Sequence, residues 1–380
     1  MCGRTILTVI TVKTRIKMKS DYLAHVSGLK GMGALIVFIY HFFYCFYPLF
    51  VPAGMQSAAV EHILGVNLLI NGNFAVCVFL LLSGYLMARN AQQYGSLDDY
   101  GSAIVRRYLR LMIPLAVAAT LSYVLYVVGV YRIHHVSVEL GNELTSNYFT
   151  HVSFHHLLIS YAWAPFGYHV LVGPFWMMGY ILLGSLLVMA MTLAIRRQRP
   201  VFQMLTVLFG IVIALYLEAY YACVLAGMLL FLIGKQPVSV PRTVRIPVVL
   251  VLIAASCWLA ADQEGVFDYD KYKNMLAVFF FVSAVLISKP LTAFFGSRPL
   301  DALGKLSLGV FIFHWPVICS LSCWLFLNWP MRSQWLLLGV IFVVSLAVSL
   351  LLAHLYNRYL APRAAVLQKW IIDFLYRCAS

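Results

Sequence analysis

A single histidine stands inside the first long apolar segment of the sequence. His41 follows Lys30 by eleven residues, with no charged side chain between them. In a helix this separation is about 16 Å, which would place the imidazole near the middle of a membrane. A neutral imidazole there can take a proton from a hydroxyl group. We therefore predict that His41 is a catalytic base. The alternative is a structural histidine that hydrogen-bonds a neighbouring helix.

Two apolar segments each have basic residues at one end. We expect these two ends to face the same side of the membrane. Arg106, Arg107 and Arg110 fall on roughly one flank of a helix, because residues three and four apart are neighbours. A planar guanidinium pairs bidentately with phosphate. We predict that these three arginines and Lys30 bind the phosphates of a cytosolic donor. Plain anchoring of helix ends by long basic side chains is the alternative.

Three polar residues in other apolar segments are candidates for supporting roles. Ser83 precedes Gly84. The alternative to a supporting role for Ser83 is that this pair of small residues permits close helix packing. Glu218 separates two apolar runs, and it is the candidate acid that orients His41. His314 stands before a Trp-Pro pair, and a proline inside a helix frees backbone carbonyls. The alternative to a supporting role for His314 is a structural kink with a hydrogen-bonded histidine.

The longest loop, residues 132–173, contains many histidines and aromatic rings. Aromatic rings with hydrogen-bonding neighbours suit a sugar, although the aromatic belts of membrane proteins have the same composition. Neither Cys nor an acidic residue stands beside the histidines, so we expect no metal site. The candidates for contact with an acceptor are His155, Trp163 and Tyr168.

Composition shows which elements must position these residues. The chain has 380 residues, of which 63% are hydrophobic and 11% charged, and its mean hydropathy is +0.88. A soluble domain has about 25% charged residues and a surface polar enough to hydrate. This excludes a soluble enzyme, a disulfide-linked secreted scaffold and a disordered chain. The net charge of +14 is attributed to cytoplasmic loops, so we expect no nucleic-acid partner.

We predict an all-α integral membrane fold of about ten transmembrane helices with both termini cytoplasmic. A spanning helix needs about 20 residues. With the N-terminus inside, 23 of the 27 basic residues fall on the cytoplasmic side. The predicted spans are residues 31–51, 68–88, 111–131, 174–195, 201–217, 219–234, 246–262, 274–293, 306–327 and 335–357.

The predicted organisation has three parts. A cytoplasmic segment covers residues 1–30, a transmembrane domain covers residues 31–357, and a cytoplasmic tail covers residues 358–380. Residues 1–17 are expected either to precede the natural start at Met18 or to lack regular structure. Assembly into a homo-oligomer is left open.

Four blocks of sequence, in order, resemble the membrane acyltransferase-3 family. GLKG (28–31) is followed at a fixed gap by His41 and resembles the family's first-helix signature GLRG. FLLLSGYLM (79–87) resembles its second-helix block, and RRYLRLMIP (106–114) resembles its arginine motif. GKLSLGVFIFHWPVI (304–318) resembles its late helix. Each block alone is weak, whereas the ordered set is specific.

The resemblance implies an integral-membrane O-acyltransferase in the cytoplasmic membrane. Such a protein moves an acyl group, most often acetyl from acetyl-CoA, to a hydroxyl of an extracytoplasmic glycan or lipid-linked sugar. His41 then corresponds to the catalytic base, which either deprotonates the acceptor or carries the acyl group. Arg107 and Arg110 correspond to the donor-facing pair, and Lys30 replaces an arginine. Acyl-CoA is a substrate, so we expect no permanently bound cofactor. The other expected partners are the saccharide acceptor and membrane lipids.

Three positions depart from the family pattern, because each lacks a familiar carboxylate. They are Ser27, Cys77 and Ile181. Two alternatives stay open. Ten spans and an intramembrane histidine also fit a multi-pass transporter or flippase, and the missing carboxylates fit a catalytically inactive scaffold of an envelope polysaccharide system.

Overall fold

The computed structural model describes residues 3–50, 70–146, 148–149, 151–236, 241–263, 269–329 and 333–379; of residues 3–23, 242, 376, 378 and 379 it describes the backbone alone. Within these ranges the chain is helical and contains no strand. The all-α membrane fold is confirmed, while the orientation of the termini stays a prediction.

The helices are numbered here in chain order. They are α1 (Gly3–Phe50), α2 (Gly72–Ala91), α3 (Leu97–Val127), α4 (Ile133–Leu140), α5 (Phe154–Trp163), α6 (Trp176–Ile195), α7 (Pro200–Leu217), α8 (Ala219–Gly234), α9 (Arg242–Ala261), α10 (Lys271–Ile287), α11 (Lys289–Phe295), α12 (Arg298–Val317), α13 (Cys323–Asn328), α14 (Gln334–Leu355) and α15 (Ala361–Ala379).

Each of the ten predicted spans coincides with a helix or a pair of helices. In the described part of the chain, eight helices are long and apolar enough to cross a membrane. A ninth span is broken, because α10 and α11 meet at an angle of 102°. The remaining predicted span is α8, which has 16 residues and is shorter than the usual 20 or so.

Two predicted boundaries are corrected. The first helix begins at Gly3, so residues 3–17 are helical and do not lack regular structure, while a natural start at Met18 stays a prediction. Lys30 lies within this helix, so the predicted cytoplasmic segment and the first span form one continuous element. At the other end α14 continues through a π-turn into α15, so the predicted tail begins inside an unbroken run of helix. Helical hydrogen bonding continues past the point where the hydropathy changes, and a hydropathy reading cannot detect this.

The predicted loop 132–173 is not a simple surface loop. It contains α4 and α5, and α5 runs beside α3. The Tyr123 and Phe154 rings lie 6.1 Å apart at one end of this contact, and the Tyr108 hydroxyl donates to the Ala162 carbonyl at 3.0 Å at the other. Because Tyr108 is near the arginines of α3, this segment extends well into the bundle.

Helices α2 and α8 pack closely, because a glycine of each helix contacts a backbone carbonyl of the other. A Cβ added to Gly84 would meet the carbonyl oxygen of Val224, and one added to Gly227 would meet that of Leu81. In an apolar solvent helices associate through such close packing, because lipid tails are as apolar as the helix surfaces. The close-packing interpretation of Gly84 is thus confirmed.

The Gly84→Ala variant is expected to be less stable by about 3 kcal/mol, because the new methyl group must displace a carbonyl in a packed core. Thermal unfolding in detergent measures the effect. Gly101→Ala is the matched control: Gly101 is also helical, but nothing lies within 4 Å of its added Cβ. Equal melting temperatures for the two variants would contradict the close contact.

Candidate active site

An aromatic cavity of about 300 Å³ lies at the end of the bundle away from the arginines of α3. Its wall comes from α1, α2, α6 and α12 and from the segments that precede α5, α6 and α10. His41 is part of this wall. The Tyr and Trp side chains that line it are Tyr40, Tyr44, Tyr148, Trp176, Tyr269 and Trp315.

The start of α2 is fixed by amide side chains, which positions the cavity wall beside it. Asn71 caps α2 by accepting from Phe74 N at 2.7 Å. Its amide donates to Asn274 of α10 at 2.7 Å, and Asn274 donates to Gln263 at 3.0 Å. Asn and Gln carry both donors and acceptors, so they can join helix ends in a place that lacks water. This network holds Gly72 and Asn73 in the cavity wall.

His41 is held by a carbonyl and by a second imidazole. Its Nδ1 lies 2.9 Å from the Val37 carbonyl oxygen, one turn earlier in α1. The same nitrogen lies 3.1 Å from Nε2 of His314 in α12. His314 in turn places its Nδ1 3.0 Å from the Val310 carbonyl and is fully buried.

These contacts assign the protons of the pair. A carbonyl only accepts hydrogen bonds, so His314 bears its proton on Nδ1 and offers a lone pair at Nε2. His41 must then bear a proton on Nδ1, shared between the Val37 carbonyl and the His314 nitrogen. In the neutral ring this leaves an unprotonated Nε2 on His41. The arrangement gives His41 a free basic nitrogen in the wall of a cavity.

An imidazole occupies the orienting position beside His41 where we expected the carboxylate of Glu218. Glu218 pairs with Lys271 at 3.2 Å and forms no described contact with His41. Since the long Lys271 side chain reaches Glu218 from α10, the acid is held at the start of α8. Of the predicted supporting residues, the structure brings only His314 to His41.

The positions with missing carboxylates all lie outside the cavity wall. The Ser27 hydroxyl donates to the Asp301 carbonyl at 3.3 Å. Cys77 places its sulfur 3.6 Å from the Asn73 side chain, and the carbonyl of Ile181 accepts from Ser185.

At the other end of the bundle Arg107 is fixed by two serines. Its Nε donates to Ser185 of α6 at 3.0 Å, and its terminal nitrogen donates to Ser83 of α2 at 2.7 Å. Ser83 therefore positions the guanidinium, and no described residue within hydrogen-bond reach could activate it as a nucleophile.

Lys30, Arg107 and Arg110 form a cationic cluster. The three charges are close enough to interact electrostatically. Within the described ranges, no carboxylate forms an ion pair with any of them. Like charges in proximity without a counter-ion repel each other, and a bound anion would relieve this. The Arg106 side chain is exposed and lies within electrostatic reach of Asp99, and it is not among the charges that act on Lys30 and Arg107.

The predicted acceptor residues do not reach the cavity. His155 and Trp163 of α5 are exposed, Trp163 by 58%. Tyr168 is partly buried and is also absent from the cavity wall. The loop contributes Tyr148 and the Gly173–Pro174 pair instead.

Sequence reasoning missed most of the aromatic wall. Tyr40 and Tyr44 could have been found, since they stand four residues apart beside His41 on one helix. Tyr148, Tyr269 and Trp315 reach the cavity through tertiary contacts that no local spacing reveals. Burial raises the pKa of the Tyr148 and Tyr269 hydroxyls, so both stay protonated and polar without charge at neutral pH.

A comparison with known families identifies the chain. The family model that matches is described as an acyltransferase domain. It covers residues 23–354, nearly the whole chain. The match contains the four sequence blocks, His41 and the cationic cluster. No curated protein and no solved structure matches the chain.

Proposed function

This chain belongs to the acyltransferase-3 family of integral-membrane acyltransferases, and we propose that it transfers an acyl group, acetyl from acetyl-CoA, to a hydroxyl of a glycan or lipid-linked sugar on the opposite side of the cell membrane. The observation that carries the proposal is the His41 imidazole, whose Nδ1 is engaged by Val37 and His314 while its Nε2 is basic in the cavity wall.

In the proposed reaction His41 acts as a general base. The acceptor oxygen bonds to the carbonyl carbon of the thioester, while Nε2 of His41 takes the hydroxyl proton. The carbon–sulfur bond then breaks, and the proton passes from His41 to the thiolate. The products are an ester and free CoA. His314 supports the step, because its Nε2 lone pair accepts from the Nδ1–H of the imidazolium at 3.1 Å.

The cationic cluster supports an anionic donor. Lys30, Arg107 and Arg110 suit the phosphates of CoA, because guanidinium groups pair with phosphate oxygens and the Ser83–Ser185 pair has already oriented Arg107. Lys30 and His41 stand on the same helix about 16 Å apart along its axis. With the phosphates at the cluster, the flexible pantetheine arm would extend toward His41.

The aromatic cavity supports a saccharide acceptor. Tyr and Trp rings offer apolar faces for stacking against a sugar ring, and their polar tips can contact hydroxyl groups. A small number of polar groups in a mostly apolar cavity is typical of a specific small-molecule site.

The proposal is tested in cells fed isotope-labelled acetate. We compare cells that produce the intact chain with cells that lack it, and measure label released from envelope saccharides by mild base. The expected result is base-labile label only with the intact chain. If the protein is present in the membrane and the label on saccharides does not increase, the acetyl transfer proposed here is wrong.

The His314→Phe variant is expected to lower kcat by about 10- to 100-fold with little change in KM, because a hydrogen bond to a charged group is worth about 1.5–3 kcal/mol. His314→Asn, which retains an acceptor, should recover part of the loss. Initial rates with purified protein in lipid nanodiscs measure both. A Phe variant as fast as the parent chain would rule out a positioning role for His314.

A further inference from the structure

The indole of Trp315 is buried, and its N–H lacks a hydrogen-bond partner. The side chain is 1% exposed, and Nε1 contacts no acceptor among the described residues. An unpaired buried donor costs about 1–3 kcal/mol, and native proteins contain few such groups. An N–H retained at this cost in the wall of a functional cavity points to a ligand that supplies the acceptor.

Trp315 lies beside the base. It follows His314 in α12, and its ring centroid is 5.3 Å from that of His41 and 5.0 Å from that of Tyr148. Because α12 carries both His314 and Trp315, one helix fixes the partner of the base and the indole together. Any group that reacts at His41 therefore passes close to the indole.

A glycine packs along the edge of the indole that carries the N–H. A Cβ added to Gly173 would lie 3.3 Å from Cε2 and Cζ2 of Trp315 and 3.3 Å from Cε1 of Tyr148. Cε2 is the ring atom bonded to Nε1. A side chain at position 173 would therefore crowd the region beside the N–H.

Two hydroxyl groups of the same wall are already used as donors. The Tyr44 hydroxyl donates to the Leu144 carbonyl at 3.0 Å, and the Tyr269 hydroxyl donates to the Ile70 carbonyl at 3.1 Å. A hydroxyl has one hydrogen to donate. The Trp315 N–H has no such acceptor in the described part of the chain and can serve a substrate oxygen.

We infer that Trp315 is a further catalytic residue that donates its Nε1–H to the carbonyl oxygen of the acyl group during transfer at His41. When the acceptor oxygen bonds to the carbonyl carbon, the π electron pair moves to the carbonyl oxygen. The N–H stabilises this negative oxygen and keeps its own proton. The pair returns to form the new ester carbonyl as the carbon–sulfur bond breaks. This inference rests on the proposed function.

The kinetic test removes the indole N–H and keeps an aromatic ring at position 315. At position 315 we compare Trp315→Phe with incorporation of benzothienylalanine, in which sulfur replaces N–H without a change of shape. Both are expected to lower kcat by about 100-fold with KM for acetyl-CoA within about twofold, as for the loss of one oxyanion donor. Gly173→Ala should also lower kcat. Trp258→Phe, at an exposed site outside the cavity, should retain the parent rate.

A binding test detects the same hydrogen bond without turnover. The probes are acetyl-carba(dethia)-CoA, an unreactive ketone, and S-ethyl-CoA, which has no carbonyl group. The parent chain is expected to bind the ketone about fivefold more tightly, and the benzothienylalanine protein to bind the two equally.

Each outcome is decisive. A benzothienylalanine protein that turns over at the parent rate, or that retains the preference for the ketone, overturns the assignment of Trp315 and leaves the proposed function intact. A parent chain that transfers no acetyl group and binds neither probe overturns the proposed function, and this inference with it.

Discussion

The His41→Ala variant is expected to transfer acetyl about 10²- to 10⁴-fold more slowly than the parent chain, the range that a positioned general base contributes. Among the described side chains of the cavity wall, only His41 is an imidazole. Its Nδ1 contacts Val37 and His314, which leaves Nε2 as the basic nitrogen. Without it the acceptor hydroxyl must lose its proton unaided. Initial rates with acetyl-CoA in nanodiscs measure the loss, which should fall on kcat while donor binding is retained.

A matched control uses another helical histidine. His354 lies exposed in the last turn of α14, so His354→Ala should keep the parent rate. Mass spectrometry of the parent chain after brief reaction distinguishes the two roles of His41, because an acyl-enzyme would add an acetyl group to the peptide containing it. A His41→Ala protein with the parent kcat would remove this residue from the mechanism.

The Arg107→Gln variant is expected to raise KM for acetyl-CoA by about 10- to 100-fold, because charge-assisted hydrogen bonds to phosphate are worth about 1.5–3 kcal/mol. The substitution places an amide nitrogen near the position of Nε, which can still donate to Ser185, but it removes the charge. Acetyl-pantetheine, which has no phosphate, separates the effects. We expect the parent chain to favour acetyl-CoA over acetyl-pantetheine and the variant to lose most of that preference.

Arg106→Gln is the control for Arg107, since it removes the same charge from the neighbouring position. Arg106 is exposed and is not among the charges that act on Lys30 and Arg107, so the KM of this variant should change by less than about threefold, the scale of a screened surface charge. If both variants keep the parent preference for the phosphate-bearing donor, the cluster does not bind the donor phosphates.

The two sites depend on one rigid element. Lys30 of the cluster and His41 of the cavity stand on α1, and α1 packs along α12 through glycines. A Cβ on Gly31 would lie 2.7 Å from the Gly304 nitrogen. The GLKG block thus has a packing role beside its lysine, because close approach of α12 is what brings His314 within reach of His41.

The sequence by itself determined the helical membrane fold, the position of nearly every span and the candidate base. Apolar runs of spanning length are local properties, and hydrogen bonding within each helix makes them structural units before any contact forms. The four ordered blocks also predicted the family that the comparison confirms. The charge asymmetry predicts the orientation.

Tertiary structure alone decided which side chains meet. The sequence separates His41 from His314 by 273 positions, and nothing local distinguishes that partner from Glu218, which Lys271 holds elsewhere. The same holds for Trp315 and Gly173, which become a possible donor site only where α12 meets the segment before α6. Contacts between distant segments follow from how helices pack, and packing depends on the shapes of all their faces together rather than on the hydropathy of each one.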